Sequence, residues 1–132
     1  MGDEVALDGP GGGGVLSEAC VILAGDETAF PAISRLLDGL PRDAVGEVVL
    51  LSHSGDQEYP IPDRSALTVT YCTEDQFVEQ TLAALDRNPD GFAWVAAEAG
   101  PVTAIRKSDA LAAIAKSKRY VATYWTQGKP SP

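Results

Sequence analysis

The sequence has few of the residues that mark several common protein classes. Two cysteines and one histidine among 132 residues argue against a disulfide framework or a Cys/His metal site. No apolar run approaches the roughly 20 residues of a membrane span, and the N-terminus lacks the basic start and apolar segment of a signal peptide. The 10 basic and 19 acidic side chains leave a net charge of −9, which disfavours nucleic-acid binding. These features predict a cytoplasmic protein in which Cys20 and Cys72 are buried, reduced thiols.

The rest of the composition is typical of one globular domain. Apolar residues make up 45% of the chain, enough for a packed core. Residues 1–14 end in four consecutive glycines, a run that loses too much entropy to be held in a packed element. We therefore predict a flexible lead-in over residues 1–14 and a single domain over residues 15–132.

Short apolar runs alternate with amphipathic segments through this domain. The apolar runs predict five strands, at 19–24, 46–52, 67–72, 92–97 and 119–125. Helical spacing and capping residues predict helices at 28–38, from 74 to about 86, and from Pro101 onward with a break at 107–109. Strands and helices that alternate through short connections predict an α/β fold, a five-stranded parallel doubly wound sheet with helices on both faces.

Polar and aromatic residues lie where the predicted strands end. In a doubly wound sheet the ligand binds at this carboxyl edge. The candidate residues are Gly25, Asp26, Glu27 and Thr28 after strand one, Ser52 and His53 after strand two, Ala97 and Glu98 after strand four, and Tyr124 and Trp125 in strand five. All of these are candidates for binding, and none is a candidate catalytic residue or metal ligand.

Residue type alone leaves two interpretations open for most of them. Asp26, Glu27 and Glu98 are suited either to capping helices and balancing helix dipoles or to contacting a ligand. Tyr124 and Trp125 are suited either to covering the core or to stacking on a flat cofactor ring.

The phosphate-binding motifs expected at a first strand–helix turn are absent. The turn after the first predicted strand lacks G-x-G-x-x-G, no P-loop occurs, and Asp26 and Glu27 oppose an incoming pyrophosphate. His53 has no Cys/His partners at metal-binding spacing, so we interpret it as a loop or nucleotide-edge residue. One basic concentration is present, and we interpret it as a solvated helix face or as a contact for a 2′-phosphate or an anionic partner. It comprises Arg106, Lys107, Lys116, Lys118 and Arg119.

Three segments, in order, resemble the C-terminal domain of the siderophore-interacting proteins, the flavin-dependent ferric-siderophore reductases. Residues 24–33 are AGDETAFPAI where the family has A-G-D-E-T-A-x-P-A-I, and residues 94–100 are WVAAEAG where it has W-V-A-G-E-A. Tyr124 and Trp125 match the family's G-Y-W-R-x-G. The resemblance covers about residues 19–128; its first segment is the most specific, and order and spacing strengthen the other two.

The resemblance implies a Rossmann-like, ferredoxin-reductase-like NAD(P)H-binding domain. In that family the domain follows a β-barrel that holds FAD, and the two together pass electrons from NADPH or NADH to ferric siderophore, which releases the iron. The matching positions would place Asp26, Glu27 and Thr28 on the nicotinamide-side turn, Ala97 and Glu98 at the end of strand four, and Tyr124 and Trp125 on the flavin side. Gly25 and Ala29 belong to the same segment and are further candidates for cofactor binding.

We do not expect this sequence to hold the flavin itself. Residues 1–18 precede the first predicted strand, and no R-x-Y-[ST] flavin-binding motif occurs. We therefore expect FAD and ferric siderophore only through a missing domain or a separate FAD-binding partner, and no electron transfer by this chain alone. The alternative is a stand-alone, non-catalytic binding or interaction module, which the departures from the family pattern at Ala97, Thr123 and Thr126 favour.

Overall fold

The computed structural model describes residues 18–52 and 66–125, and for Trp125 the backbone only. The predicted lead-in over residues 1–14, His53 and Thr126 lie outside the described residues, as does the side chain of Trp125.

The described residues form five strands and four α-helices. The strands are β1 (Cys20–Gly25), β2 (Val45–Leu51), β3 (Leu67–Cys72), β4 (Phe92–Glu98) and β5 (Arg119–Trp125). The helices are α1 (Phe30–Gly39), α2 (Glu74–Arg87), α3 (Ala99–Arg106) and α4 (Asp109–Ala112), with 3₁₀ turns at Glu27–Ala29 and Lys116–Lys118.

The strands form one sheet in the order β3-β2-β1-β4-β5, and all four pairings are parallel. The chain begins at the centre with β1, moves outward through β2 to β3, and then crosses back through α2 to β4 on the other side of β1. This arrangement confirms the predicted α/β fold, a parallel, doubly wound sheet of five strands.

The two faces of the sheet carry separate cores because alternate residues of each strand point to opposite sides. On one face Leu23 and Trp94 pack with Phe30 and Ile33 of α1. On the other face, apolar strand residues pack with residues from three helices: Phe77 of α2, Ile105 of α3 and Leu111 of α4. Both faces of the central strands are therefore covered, which accounts for their nearly continuous apolar sequence.

Helix boundaries differ from the predicted ones where capping groups act. The first helix was predicted from residue 28, but the chain makes a 3₁₀ turn first and α1 begins at Phe30. The third begins at Ala99, before Pro101, because the side chain of Glu98 caps it. The predicted break at 107–109 is present, and the Ser108 hydroxyl accepts the N–H of Leu111 at 3.1 Å to start α4.

None of the helices in residues 18–52 and 66–125 combines the length and apolar character that crossing a bilayer requires.

Candidate functional site at the carboxyl edge of the sheet

The strand order places a topological switch point between β1 and β4. The chain leaves β1 towards β2 on one side, while β4 lies on the other side. In open α/β sheets such a point leaves a crevice at the carboxyl ends of the two strands, and ligands bind there. The residues at this point are Gly25 and Asp26 after β1 and Glu98 at the end of β4.

Asp26 connects the two sides of the switch point. The residue is 6% exposed, and its Oδ1 accepts the backbone N–H of Thr28 at 3.0 Å and the Thr28 hydroxyl at 2.5 Å. Its Oδ2 accepts the backbone N–H of Glu98 at 3.0 Å. One carboxylate thus starts the first helical turn and holds the end of β4 beside it.

Glu98 lies at the beginning of α3. Its Oε1 accepts the N–H of Gly100 at 3.0 Å, so the carboxylate occupies the capping position predicted for it. Glu98 therefore contributes twice: its backbone N–H donates to Asp26, and its side chain adds a second carboxylate at the switch point. The capping interpretation is confirmed for Asp26 and Glu98, while ligand contact stays a prediction.

The first helical turn uses its own backbone N–H groups. The side chain of Asp26 accepts the N–H of Thr28, and the backbone carbonyl of Asp26 accepts the N–H of Ala29 at 2.9 Å. The N–H of Phe30 donates to the carbonyl of Glu27, and Pro31 has no N–H. This turn does not fit a pyrophosphate, which needs such groups pointing towards it.

Gly25 is needed for close packing at the end of β1. A Cβ at this position would lie 2.8 Å from Cβ of Ala29 and 2.9 Å from the carbonyl oxygen of Ala96. Gly25 and Ala29, both candidate binding residues, are buried. They allow the first turn to approach β4 closely, which brings Asp26 within hydrogen-bonding distance of Glu98.

Two other candidate residues are buried as well. Ala97 is fully buried and belongs to the core on the face of α2, α3 and α4. Ser52 is also fully buried, and its N–H donates to the carbonyl of Cys72 at 3.0 Å. The methyl group that distinguishes Ala97 from the family's glycine therefore packs inside the protein.

The aromatic residues of β5 pack on β4. The ring of Tyr120 stacks on Trp94 with centroids 5.6 Å apart, and the ring of Tyr124 meets Trp94 edge-on at 6.2 Å. The core-covering interpretation is thus confirmed for Tyr124, and burial is the main cause that raises the pKa of its hydroxyl. Contact of Tyr124 with a flavin stays a prediction.

Part of the basic concentration lies at the opposite edge of the sheet. Lys118 and Arg119 are at the amino end of β5, where Nζ of Lys118 donates to the carbonyl of Asp90 at 3.0 Å and lies 3.6 Å from Oε1 of Glu18. Arg106 donates from Nη2 to the carbonyl of Val121 at 2.8 Å. Lys118 and Arg119 therefore lie away from the carboxyl edge, at the other end of β5, and a contact of the basic residues with a 2′-phosphate or an anionic partner stays a prediction.

The two thiols form no disulfide. Cys72 is buried and Cys20 is half-buried, and burial, with Asp75 as a smaller cause, raises the pKa of Cys72 to about 11. Among the described residues no cluster of three or more His, Cys, Asp or Glu side chains is placed to hold a metal ion.

The strand order and the site together define a doubly wound α/β domain with its candidate ligand site at the β1–β4 switch point. Residues 18–128 match the family model of the siderophore-interacting proteins, and the chain belongs to that family. The expected family membership is thus confirmed over nearly the whole chain.

Two curated relatives are similar to this chain in sequence. Ferric vibriobactin reductase ViuB of Vibrio cholerae is 32% identical over 139 residues, which cover 97% of this chain and 51% of ViuB. The uncharacterized protein Rv2895c of Mycobacterium tuberculosis is 36% identical over 72 residues, covering 53% of this chain and 25% of that protein. This chain thus spans about half the length of ViuB.

Two solved structures share the fold. The siderophore-interacting protein of Acinetobacter baumannii superposes with a TM-score of 0.71 at 20% identity, over 86% of this chain and 48% of that one. A siderophore utilization protein from T. fusca gives 0.70 at 21% identity, over 89% and 48% of the two chains.

Proposed function

We propose that residues 15–132 are the NAD(P)H-binding domain of a cytoplasmic, flavin-dependent ferric-siderophore reductase. In this role the chain binds NADPH or NADH at the β1–β4 switch point and works with an FAD-binding domain to reduce ferric siderophore and release iron. The observation that carries the proposal is the Asp26 link between the ends of β1 and β4, which builds a polar site where doubly wound sheets bind ligands.

Family membership supports the reaction class. The similarity to ViuB, a ferric vibriobactin reductase by name, extends over 97% of this chain. Reduction of ferric iron from NAD(P)H requires a carrier that accepts hydride and releases single electrons, and a flavin supplies that chemistry. The proposal therefore includes a separate FAD-binding domain as partner, and ferric siderophore is reached through that partner.

The residues at the switch point fit the nicotinamide end of the cofactor. Thr28 is an exposed residue whose hydroxyl donates to Asp26, and the carboxylates of Asp26 and Glu98 lie on either side of the β1–β4 junction. Asp26 and Glu98 would flank the nicotinamide end of bound NAD(P)H, which would supply hydride to the flavin of the partner domain and leave a cationic oxidised ring. Nearby carboxylates stabilise that cation more than the neutral reduced ring.

The pyrophosphate is held elsewhere under this proposal, because the first helical turn already uses the N–H groups of Thr28, Ala29 and Phe30 internally. His53, Tyr124 and Trp125 remain proposed contacts for the rest of the nucleotide and for the flavin side. Ser52 also remains a proposed contact, but because it is fully buried the end of β2 would have to rearrange for it to touch the nucleotide.

Isothermal titration with NADPH, NADH and their oxidised forms tests the proposal. Glu98→Gln keeps an oxygen that accepts the Gly100 N–H and removes one charge. We expect it to weaken binding of the oxidised cofactor about two- to fivefold and to leave the reduced cofactor almost unchanged.

Asp43→Asn is the matched control, since Asp43 is exposed and precedes β2 at the opposite edge of the sheet. It should leave all four affinities unchanged, because charges at that distance are screened. No heat of binding at millimolar nucleotide would contradict the cofactor role.

A second candidate is a non-catalytic interaction module that keeps this fold. The internally satisfied turn at residues 26–31 favours it, because that turn offers little to a pyrophosphate. Co-purification of a protein partner, together with a melting temperature that no nucleotide raises, would support this candidate over the first.

A further inference from the structure

The outer side of β3 is an open edge of the sheet in the part of the chain that the structure describes. β3 is the last strand of the order β3-β2-β1-β4-β5, and its one described neighbour is β2. The carbonyl of Cys72 accepts the N–H of Ser52 at 3.0 Å, so the backbone groups of Cys72 point towards β2. Because the backbone groups of successive strand residues point to alternate sides, those of Leu67, Val69 and Tyr71 point outward.

The two edges of the sheet differ in the protection that they carry. β5 begins at Arg119, directly after the turn Lys116–Lys118, and its register with β4 shifts between Ala97 and Glu98. Charged residues and irregular pairing are the usual means by which an edge strand avoids pairing with other chains. β3 has neither, since its sequence LTVTYC contains no charge and no proline and its register with β2 runs without a shift.

We propose that β3 pairs antiparallel with β3 of a second copy of this chain, about a two-fold axis that passes through Val69. In that register Val69 lies opposite Val69 of the second copy, and Leu67 lies opposite Tyr71. Each of these pairs exchanges both of its N–H···O bonds. The outward backbone groups of all three residues are then satisfied, and the two five-stranded sheets join into one.

The side chains of β3 match in the same register. Leu67 and Tyr71 pack with the core on the α1 face, and Val69, which alternation places on that face, is 38% exposed. Pairing of two copies gives one Val–Val pair and two Leu–Tyr pairs on this face. On the other face each Thr68 lies opposite Thr70 of the other copy. Aliphatic–aromatic and Thr–Thr pairs are among the cross-strand pairs that stabilise antiparallel strands.

A second copy fits this edge better than a charged partner does. A two-fold interface requires a self-complementary patch, and β3 is one. β3 has no charge to attract an acidic or basic peptide, whereas the net charge of −9 makes two copies repel each other elsewhere on their surfaces. The contact is a single strand pair, smaller than a standard interface, so we expect a weak dimer with a dissociation constant of about 10–100 µM.

Sedimentation velocity of the 132-residue chain over a range of concentrations measures this dimer. We expect Val69→Lys to weaken it by about tenfold or more, because two like charges then lie directly opposite each other. Val45→Lys is the matched control, since Val45 is 47% exposed at the start of β2, and this variant should dimerise as the wild type does. Both changes lower the net negative charge equally, so general repulsion between copies does not explain a loss in one variant alone.

Two double variants test the register. Thr68→Lys with Thr70→Glu places opposite charges across each Thr68–Thr70 pair and should retain the dimer. Thr68→Lys with Thr70→Lys places like charges there and should weaken the dimer by about tenfold or more, although it lowers the net negative charge of the chain. Thr68 is exposed and Thr70 is half-buried, so these variants decide the question if Val69→Lys does not fold.

Hydrogen exchange at the amides of Leu67, Val69 and Tyr71 gives a direct readout, and their protection should rise with chain concentration. A wild type that stays monomeric up to about 1 mM would overturn the inference. Equal dimerisation of the two double variants, or a dimer that folded Val69→Lys leaves intact, would also overturn it. Amide protection that does not change with concentration would do the same, because another segment of the same chain would then cover the edge.

Discussion

Gly25 shows how a single position sets the geometry of the site. Three neighbours already surround the place where a side chain would begin: Cβ of Ala29 at 2.8 Å, the carbonyl oxygen of Ala96 at 2.9 Å and Cδ1 of Ile33 at 3.0 Å. The first two belong to the first turn and to the backbone of β4, which cannot move without disturbing the sheet. Any side chain here would push Asp26 away from Glu98.

We expect Gly25→Ala to lower the free energy of unfolding by about 1–3 kcal/mol, the usual cost of overpacking a dense site. Urea denaturation at neutral pH measures it. Gly100→Ala is the control, because its new Cβ would meet only the flexible end of Glu98, with Oε1 at 3.0 Å. Equal stability of the two variants would show that β1 and the first turn are packed more loosely than this geometry indicates.

At the scale of elements, a polar link joins the end of α2 to β2. Nε and Nη2 of Arg87 donate to the two carboxylate oxygens of Glu47 at 2.8 and 2.6 Å. Asn88 Nδ2 also donates to Glu47 at 2.8 Å. The hydrogen bond from Arg87 is the main cause that lowers the pKa of Glu47 below its ordinary value of 4.5. These hydrogen bonds connect the C-terminal end of α2 to β2, near the amino edge of the sheet.

The lowered pKa makes this link dependent on pH. A carboxyl group with a lower pKa in the folded state stabilises the fold above its unfolded pKa, and the contribution is lost as pH falls through the folded value. We expect Glu47→Gln to reduce the free energy of unfolding by about 0.5–1 kcal/mol at pH 7, a modest value because Arg87 is largely exposed. The difference from wild type should shrink below pH 4.5, as measured by urea denaturation across pH.

Glu79→Gln makes the same chemical change on the exposed surface of α2. It should alter stability by less than about 0.5 kcal/mol at either pH. A Glu47→Gln effect that stayed constant from pH 7 to pH 3 would argue against the charged hydrogen bond as its source.

At the scale of the whole molecule, the described structure holds one sheet and one candidate ligand edge. Hydride from a nicotinamide needs an acceptor cofactor before single electrons can reach iron. ViuB, to which nearly all of this chain is similar, is about twice as long as the matched region. The proposed reaction therefore depends on a second, flavin-bearing domain.

We expect the 132-residue chain alone not to oxidise NADPH in the presence of a ferric siderophore. Addition of a flavin-loaded domain from a siderophore-interacting relative should start NADPH oxidation and Fe(II) formation. NADPH oxidation is measured as the loss of absorbance at 340 nm, and Fe(II) formation is measured with a ferrous chelator. NADPH oxidation by the chain without flavin would contradict the proposal that the reaction needs a separate flavin-bearing domain. The flavin domain without the chain is the control.

Much of the architecture was predictable because its signals are local. Apolar runs such as residues 46–52 mark strands that are covered on both faces. The capping box at residues 73–76 marks the start of α2, and the N–H of Thr73 does donate to Oε1 of Gln76 at 3.2 Å. The doubly wound topology and the family resemblance were also predicted from such local patterns.

The details of the site were less predictable. Sequence alone left Asp26 and Glu98 as either caps or ligand contacts, and did not indicate that they touch. Asp26 and Glu98 are 72 positions apart in the sequence. Neither local spacing nor residue type predicts a contact between residues that are so far apart in the chain. The short Asp-x-Thr segment was a usable local signal for the bond between Asp26 and Thr28, since an aspartate often bonds the residue two positions on.

By itself the sequence determined the order of strands and helices, the polar strand ends and the family, because each depends on neighbours within a few residues. Only the tertiary structure decided that one buried carboxylate joins β1 to β4, that Tyr124 packs on Trp94, and that Lys118 and Arg119 lie at the far edge. Parallel pairing and strand direction bring distant residues together or keep them apart, and no local pattern encodes that result.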